Sequence, residues 1–327
     1  MRFSNGPLIG LDVGASLLKA VRLKRRGDKV LVEQAGLAVM PGGALSEGVL
    51  LDPPAVACCI RELCRRPGLG GRRAAVAIGG TDVFLTRLKL PRGDEKALPS
   101  LVAEETARLL PFPREEASVD FQVLEALGYG PWVEAMVAAA RRQKIDQLRQ
   151  VLRRAGKTVV LIEPAAYSLS NAFEFNYEPA PEQIAALIDI GTTSATVCIL
   201  RGATPLLARE LSLARGQLSE QEWGLADRVA VQLERVLIEM DEIADDRPME
   251  PRSGQIEKLW LSGGGARIAG LEETLFERFR LPMEEMNPFR RLEWLGTDAL
   301  ARLVTDHAHC MGVAVGLALR GLDDSPS

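Results

Sequence analysis

The sequence predicts a two-lobed α/β protein in which one strand–turn–strand unit occurs twice, with a small α+β segment inserted into the first lobe. Three observations carry this. Residues 8–21, LIGLDVGASLLKAV, are echoed by residues 186–199, ALIDIGTTSATVCI: an apolar strand, Asp, Gly, small or hydroxyl residues, then more apolar residues. The two aspartates, Asp12 and Asp189, lie roughly half a chain apart, the spacing of a duplicated unit rather than of a short solenoid repeat. Between the copies runs a string that reads β-β-α-β-β-α, enough for a sheet-plus-helix subdomain of its own.

Taken in order, Ile9, Leu11 and Val13 alternate with Gly10 and Asp12, and Leu18, Ala20 and Val21 resume the apolar pattern after the turn. Residues 74–78 and 83–90 read as strands. A helix over 99–110 places Leu98, Leu101, Val102 and Leu109 on one face, and Pro111 and Pro113 stop it. Residues 119–124 and 132–139 are strands again. The next helix carries Ile145, Leu148, Leu152 and Ala155 on one side, with Gly156 just past its end. A buried strand over 158–162 leads into a helix from Pro164, and YEPAPEQ (177–183) is the passage between lobes. In the second lobe a long helix over 225–243 is expected, then a loop over 245–255, a strand over 259–261, a helix over 271–279 and a last helix reaching about residue 320. The tail DDSPS is expected to fray. The division is 1–73 with 158–182 for the first lobe, 74–157 for the insert and 183–327 for the second lobe.

With 327 residues the chain is long enough for two domains. Its formal charge is −4, and paired arginines such as Arg25-Arg26 and Arg72-Arg73 are scattered along it. The basic stripe that nucleic-acid binding needs is missing from the sequence. No apolar run reaches the ~18 residues of a membrane span. The first strand follows the N-terminus without a signal-peptide pattern, so a cytoplasmic location is expected. Five cysteines without paired spacing read as reduced thiols. The run His307-Ala308-His309-Cys310 lacks a second ligand cluster for zinc.

The chemistry follows from the repeated unit. A hairpin tip with glycine and hydroxyl residues presents successive N–H groups to an anion. Two such tips facing each other, Gly14, Ala15, Ser16 with Lys19 beyond it, and Gly191, Thr192, Thr193, hold a polyphosphate from both sides. Asp12 and Asp189 would repel bare phosphate, so their presence implies Mg²⁺ held through waters. A third element, Gly263-Gly264-Gly265 between a strand and a helix, either brings backbone to the ligand or makes a tight structural turn. Glu163, at the start of a helix, either favours the helix dipole or orients an attacking water.

These four elements in this order resemble the superfamily of actin, sugar kinases and chaperone ATPases, an α/β, ribonuclease H-like, two-lobe fold. The stretch IEPAAYSL (162–169) resembles the chaperone segment, which implies Glu163 as the water-facing residue. Within the superfamily, residues 97–125 with their Pro-Phe-Pro turn, 145–164, 260–275 and 312–321 resemble the PilM family of type IV pilus assembly proteins, a relation that covers nearly the whole chain. The cell-division protein FtsA has an insert at the same place. The resemblance implies ATP between the lobes and at most a slow ATPase. It also implies a partner: the N-terminal cytoplasmic peptide of a PilN-like inner-membrane protein, held in a groove of the first lobe and its insert. Other pilus assembly proteins and homo-oligomers fit the same reading. One departure stands out. After the strand over 206–213, RGQLSEQEW (215–223) leads almost directly into the long helix, so the helical subdomain that covers the adenine side is reduced. The alternatives are a nucleotide-free peptide scaffold, the actin-like component of a type II secretion system, and a sugar kinase, for which no acceptor-activating Asp is visible.

Overall fold

The computed structural model describes residues 8–80, 82–93, 96–124, 131–213, 224–246, 251–295 and 298–323. The predicted tail after Asp323 and the segment 215–223 lie outside the described residues.

The first unit is an antiparallel meander of β1 (Leu8–Val13), β2 (Leu17–Arg26) and β3 (Lys29–Val39). A short hairpin, β4 (Leu45–Ser46) with β5 (Val49–Leu50), follows, then α1 (Pro53–Leu63) and β6 (Arg73–Ile78). Helix α1 starts where the Asp52 carboxylate accepts the Ala55 N–H at 3.0 Å, with prolines in the first turn where no N–H is needed. Next come β7 (Val83–Pro91), α2 (Leu98–Leu109), β8 (Ala117–Leu124), β9 (Trp132–Arg141), α3 (Arg142–Arg154), β10 (Thr158–Pro164) and α4 (Ala165–Tyr177). The second unit repeats the meander with β11 (Ile184–Ile190), β12 (Ser194–Arg201) and β13 (Thr204–Ser212), followed by α5 (Leu225–Asp246), β14 (Lys258–Ser262), α6 (Leu271–Phe279) and β15 (Met283–Glu285). The chain closes with β16 (Glu293–Trp294), α7 (Asp298–His307) and α8 (Gly312–Asp323).

The internal echo becomes two sheets of one design. The larger has the order β10-β6-β1-β2-β3-β16 and the smaller β13-β12-β11-β14-β15. In each, the meander is antiparallel, and two further strands join parallel beside its first strand: β6 then β10, and β14 then β15. Both faces of each sheet are covered. Ile9, Leu11 and Val76 pack outward on α1 and α3, and Ile188, Val197 and Leu261 pack outward on α5 and α6. The inner faces, with Val21 and Ala75 on one side and Leu187 and Leu200 on the other, share one core with α4 and α8 between them. The arrangement is therefore five layers, helix–sheet–helix–sheet–helix, which is why the central strands read as nearly continuous apolar runs.

Two segments sit elsewhere than the sequence division assigned them. Strand β6, given to the insert, lies between β10 and β1 in the larger sheet, and α3 packs on α1 against the outer face of that sheet. The separate three-stranded sheet, β7-β9-β8, thus runs from β7 to β9, with α2 covering one face through Leu88, Val102 and Val137. Strand β6 is apolar and α3 is a polar helix with one apolar stripe, and nothing local in the sequence marks which sheet either will join. The C-terminal segment likewise returns to the first lobe: β16 pairs with β3, and α8 packs on β1, β2, β6 and α4. Between β13 and α5 only residues 213–224 intervene, consistent with a reduced helical subdomain.

Glycine sets the closest approaches of the central layer. A Cβ on Gly10 would fall 2.4 Å from the Ala314 carbonyl oxygen, and one on Gly316 only 1.7 Å from the Ser168 oxygen. Gly316→Val is expected to force α4 and α8 apart and destabilise the protein by about 3 kcal/mol or more. The check is urea denaturation followed by circular dichroism; an unchanged midpoint refutes the close approach.

Candidate functional site

Each meander turn closes in the same way. The Gly14 N–H donates to the Leu17 carbonyl at 3.1 Å, and the Gly191 N–H to the Ser194 carbonyl at 2.9 Å. A Cβ on either glycine would come within 3 Å of that carbonyl oxygen, at 2.9 and 2.8 Å. The tips meet: Ser16 Oγ and Thr192 Oγ1 are 2.7 Å apart across the lobes. Among the described residues, no hydrogen bond is made by the backbone N–H groups of Ala15, Ser16, Thr192 and Thr193. Two runs of donors thus converge with two hydroxyls, an arrangement suited to a polyanion.

Behind the tips the inner sheet faces turn from apolar to charged. Asp12 and Lys19 are direct partners in the β1–β2 register, and Lys19 Nζ donates to Asp12 at 2.7 Å. In the second sheet Ser262, Asp189, Thr196 and Glu210 form one row across β14, β11, β12 and β13. Ser262 Oγ donates to Asp189 at 2.8 Å and Thr196 Oγ1 to Glu210 at 2.8 Å. The two halves feel each other. Burial opposes the charge on Lys19, but Asp12 and Asp189 together outweigh it and hold the ammonium well above its ordinary range. Burial raises the Asp189 carboxyl, Lys19 pulls it down and Asp12 pushes it up again. Asp12, Lys19 and Asp189 therefore lie close enough for their charges to act on one another.

The other predicted residues divide. In the glycine run, Gly263 (φ +88°) gives its N–H to the His309 carbonyl at 2.7 Å, and Gly265 gives its own to the Ile190 carbonyl at 2.8 Å. Side chains at these two positions would collide with Ile190, so they serve strand packing, while Gly264 is exposed beside open space. Glu163 is buried on β10. It accepts from Ser168 Oγ at 2.8 Å and from Asn171 Nδ2 at 3.2 Å, and pairs with Arg320 Nε at 3.3 Å. Its carboxyl is raised by burial, against the pull of Ser168 and Arg320. It lines a cavity that does not include the tips.

Sequence reasoning missed a polar seam between the lobes beside the tips. The Glu47 N–H donates to Thr193 Oγ1 at 3.2 Å, its carboxylate accepts from Ser212, and the Gly80 N–H donates to Glu210 at 3.3 Å. Lys144 is buried here, its Nζ without a hydrogen-bond partner and within 3 Å of where a Cβ on Gly48 or Gly80 would sit. Burial pushes Glu210 up to about 7, only partly offset by Thr196 and the Gly80 N–H. Glu210 sits in LLARELSL, where strand alternation could have marked it as an inward-facing acid.

The cavity that Glu163 lines, of about 950 Å³, runs between the insert and the first lobe. Gln122, Met136 and Ala138 of the three-stranded sheet form one side; Ile162 of β10 and Tyr167 and Asn171 of α4 form the other. Both bordering strands, β8 and β10, are sheet edges. The Tyr167 hydroxyl is buried without a hydrogen-bond partner.

Because the Glu210 carboxyl is raised in the folded state, its contribution is complete below about pH 4.5 and is lost as pH rises through about 7. Glu210→Gln is expected to flatten that fall, gaining about 1–3 kcal/mol over the parent protein at pH 8 relative to pH 4.5. Urea titrations at the two pH values measure it; parallel curves for both proteins contradict the burial argument.

Residues 10–230 and 249–322 match the family described as type IV pilus assembly protein PilM. Among solved structures, that of a PilM–PilN type IV pilus biogenesis complex superposes with a TM-score of 0.78 at 27% identity, covering 97% of this chain and 99% of that one. A Bacteroides thetaiotaomicron protein of actin-like ATPase fold and unknown function gives 0.51 at 10% identity, covering 93% and 98%. The chain belongs to the PilM family of type IV pilus assembly proteins and has the actin-like fold.

Proposed function

We propose that this protein is an actin-like scaffold for type IV pilus assembly, which holds the N-terminal segment of a PilN-like inner-membrane partner in the groove between insert and first lobe. The observation that carries this is the groove itself, in a family member whose structural relative forms a complex with PilN. Its sides combine apolar surface (Met136, Ala138, Ile162) with polar groups able to read a peptide backbone (Asn171, the Tyr167 hydroxyl). Two free strand edges beside it suit an extended segment. Tethering through that partner would set the protein at the inner membrane. Among the described residues no helix is long and apolar enough to cross one.

The tips are the second part of the proposal. The unbonded N–H groups of Ala15, Ser16, Thr192 and Thr193, with the ammonium of Lys19, fit the phosphates of ATP. Bound Mg²⁺ would neutralise phosphate charge there, and Asp12 and Asp189 would hold it through waters, sharing them with Lys19. Gly264 is assigned to the same ligand. Glu163, engaged by Ser168, Asn171 and Arg320, is assigned to the groove rather than to an attacking water.

Two titrations separate the parts. A peptide copying the partner's N-terminal segment should bind, and Met136→Asp, which puts a charge into the groove, should weaken it by about a hundredfold. A Met136→Asp protein that is folded and binds as before would move the site elsewhere. A fluorescent ATP analogue with Mg²⁺ should saturate and lose affinity by at least about tenfold in Asp189→Ala. No saturable signal at millimolar nucleotide would leave the scaffold reading and remove the nucleotide.

A further inference from the structure

The fold gathers at one end of the first lobe cations that stand far apart in the sequence. Strands β1, β6 and β10 begin at this end, where Leu8 and Thr158 both pair with Arg73. Helices α1 and α3 both finish there. Lys157, just past α3, lies against the thiol of Cys64, just past α1, and donates to the Gly71 carbonyl at 2.6 Å. The Thr158 N–H donates to the Arg72 carbonyl at 2.7 Å, which ties the third segment to the other two. Arg65, Arg66, Arg72, Arg153 and Arg154 are all exposed on this end.

Their charge is only partly offset locally: Glu62, exposed in the last turn of α1, is one carboxylate against five arginines. Glu33 is taken by Arg22 and Lys24, and Asp146 by Arg149. Among the described residues no carboxylate pairs with any of the five, and the hydrogen bond from Arg66 to the neutral Leu37 carbonyl leaves its charge intact. Cations in the last turn of a helix favour the helix dipole, and that alone would explain one or two. A helix end presents about half an elementary charge, so two ends offset roughly one of the five. The chain as a whole is formally −4, so the remaining surface is more acidic still. The protein therefore carries a positive end on a chain that is negative elsewhere on balance.

The make-up of the array selects its occupant. It is spread over three chain segments, and residues 61–73 and 149–158 contain no aromatic side chain to stack a base. We propose that this end of the first lobe docks on an anionic phospholipid surface, the arginines lying against a plane of headgroup phosphates. The contact is built from residues outside both the groove and the tips, so it stands or falls apart from them.

The full chain is incubated with vesicles of phosphatidylcholine alone or with 30 mol% phosphatidylglycerol, and sedimented, at about 50 mM and 500 mM salt. Binding is expected only with the anionic vesicles and only at low salt. The variant Arg72→Gln/Arg153→Gln/Arg154→Gln should lose affinity by roughly fivefold for each arginine, about a hundredfold in all. Its circular dichroism and peptide binding should match the parent protein, whereas Met136→Asp should keep vesicle binding. Absence of binding to anionic vesicles at low salt, equal binding to neutral ones, or an unaffected triple variant overturns the proposal. Tighter binding to a single-stranded oligonucleotide than to the vesicles would overturn it in favour of nucleic acid.

Discussion

The geometry of the molecule rests on how closely α8 can approach its neighbours. It is wedged between the two sheets, against β1 at Gly10 and against α4 at Gly316, at distances where any side chain would overlap backbone. That contact fixes the spacing of the two inner faces. The spacing in turn lets two turns on separate sheets come to a single hydroxyl–hydroxyl hydrogen bond, 2.7 Å between Ser16 and Thr192. Cores transmit strain because they are close-packed, so a displacement at the wedge is carried to the tips rather than absorbed.

The same wedge explains where charge is tolerated. Where α4 and α8 cover the inner faces, the sheets carry Val21, Leu187 and Leu200; beyond the helices the same faces carry Lys19, Asp189 and Glu210. Three carboxylates close together and largely out of water would repel one another without compensation. The ammonium of Lys19 answers two of them, and Thr196, the Gly80 N–H and the Lys144 ammonium answer Glu210. In the second unit Thr196 occupies the position that Lys19 holds in the first, opposite the aspartate. The duplicated unit has thus diverged at this position: one cation serves both aspartates, and the seam with Glu47, Lys144 and Glu210 occupies the opposite side.

Local features of the chain were the legible ones. The echo around Asp12 and Asp189 foretold two sheets of one design, because alternation and turn chemistry are written in adjacent residues. Helices α5 and α6 stand close to where periodicity placed them for the same reason. What stayed hidden depends on pairing over long distances. Strand β6 is followed directly by β7 in the chain, and only its partners β1 and β10 assign it to the larger sheet. Glycines 263 and 265 read either as ligand contacts or as a tight turn, and their close approach to Ile190 is visible only in the folded chain. The arginine pairs read as scattered because the sequence does not show that α1, α3 and the loop over 65–73 end together.

Groove and tips share their helices. At its C-terminal end α8 presents Arg320 to Glu163 in the groove; just before its N-terminal end the His309 carbonyl accepts from Gly263 N–H and lies 3.0 Å from Ser262 Oγ, which in turn holds Asp189. Twelve residues of helix, a rod of roughly 18 Å, separate the two ends. Coupling carried by a shared element is reciprocal by thermodynamic linkage: whatever an occupant of the groove does to affinity at the tips, an occupant of the tips does equally to the groove. The size of that effect is limited by how differently each occupant binds the alternative positions of the helix. With the clearances at Gly10 and Gly316 already at backbone contact, α8 has little room to move sideways, so displacement along or about its own axis is the motion the packing leaves to it.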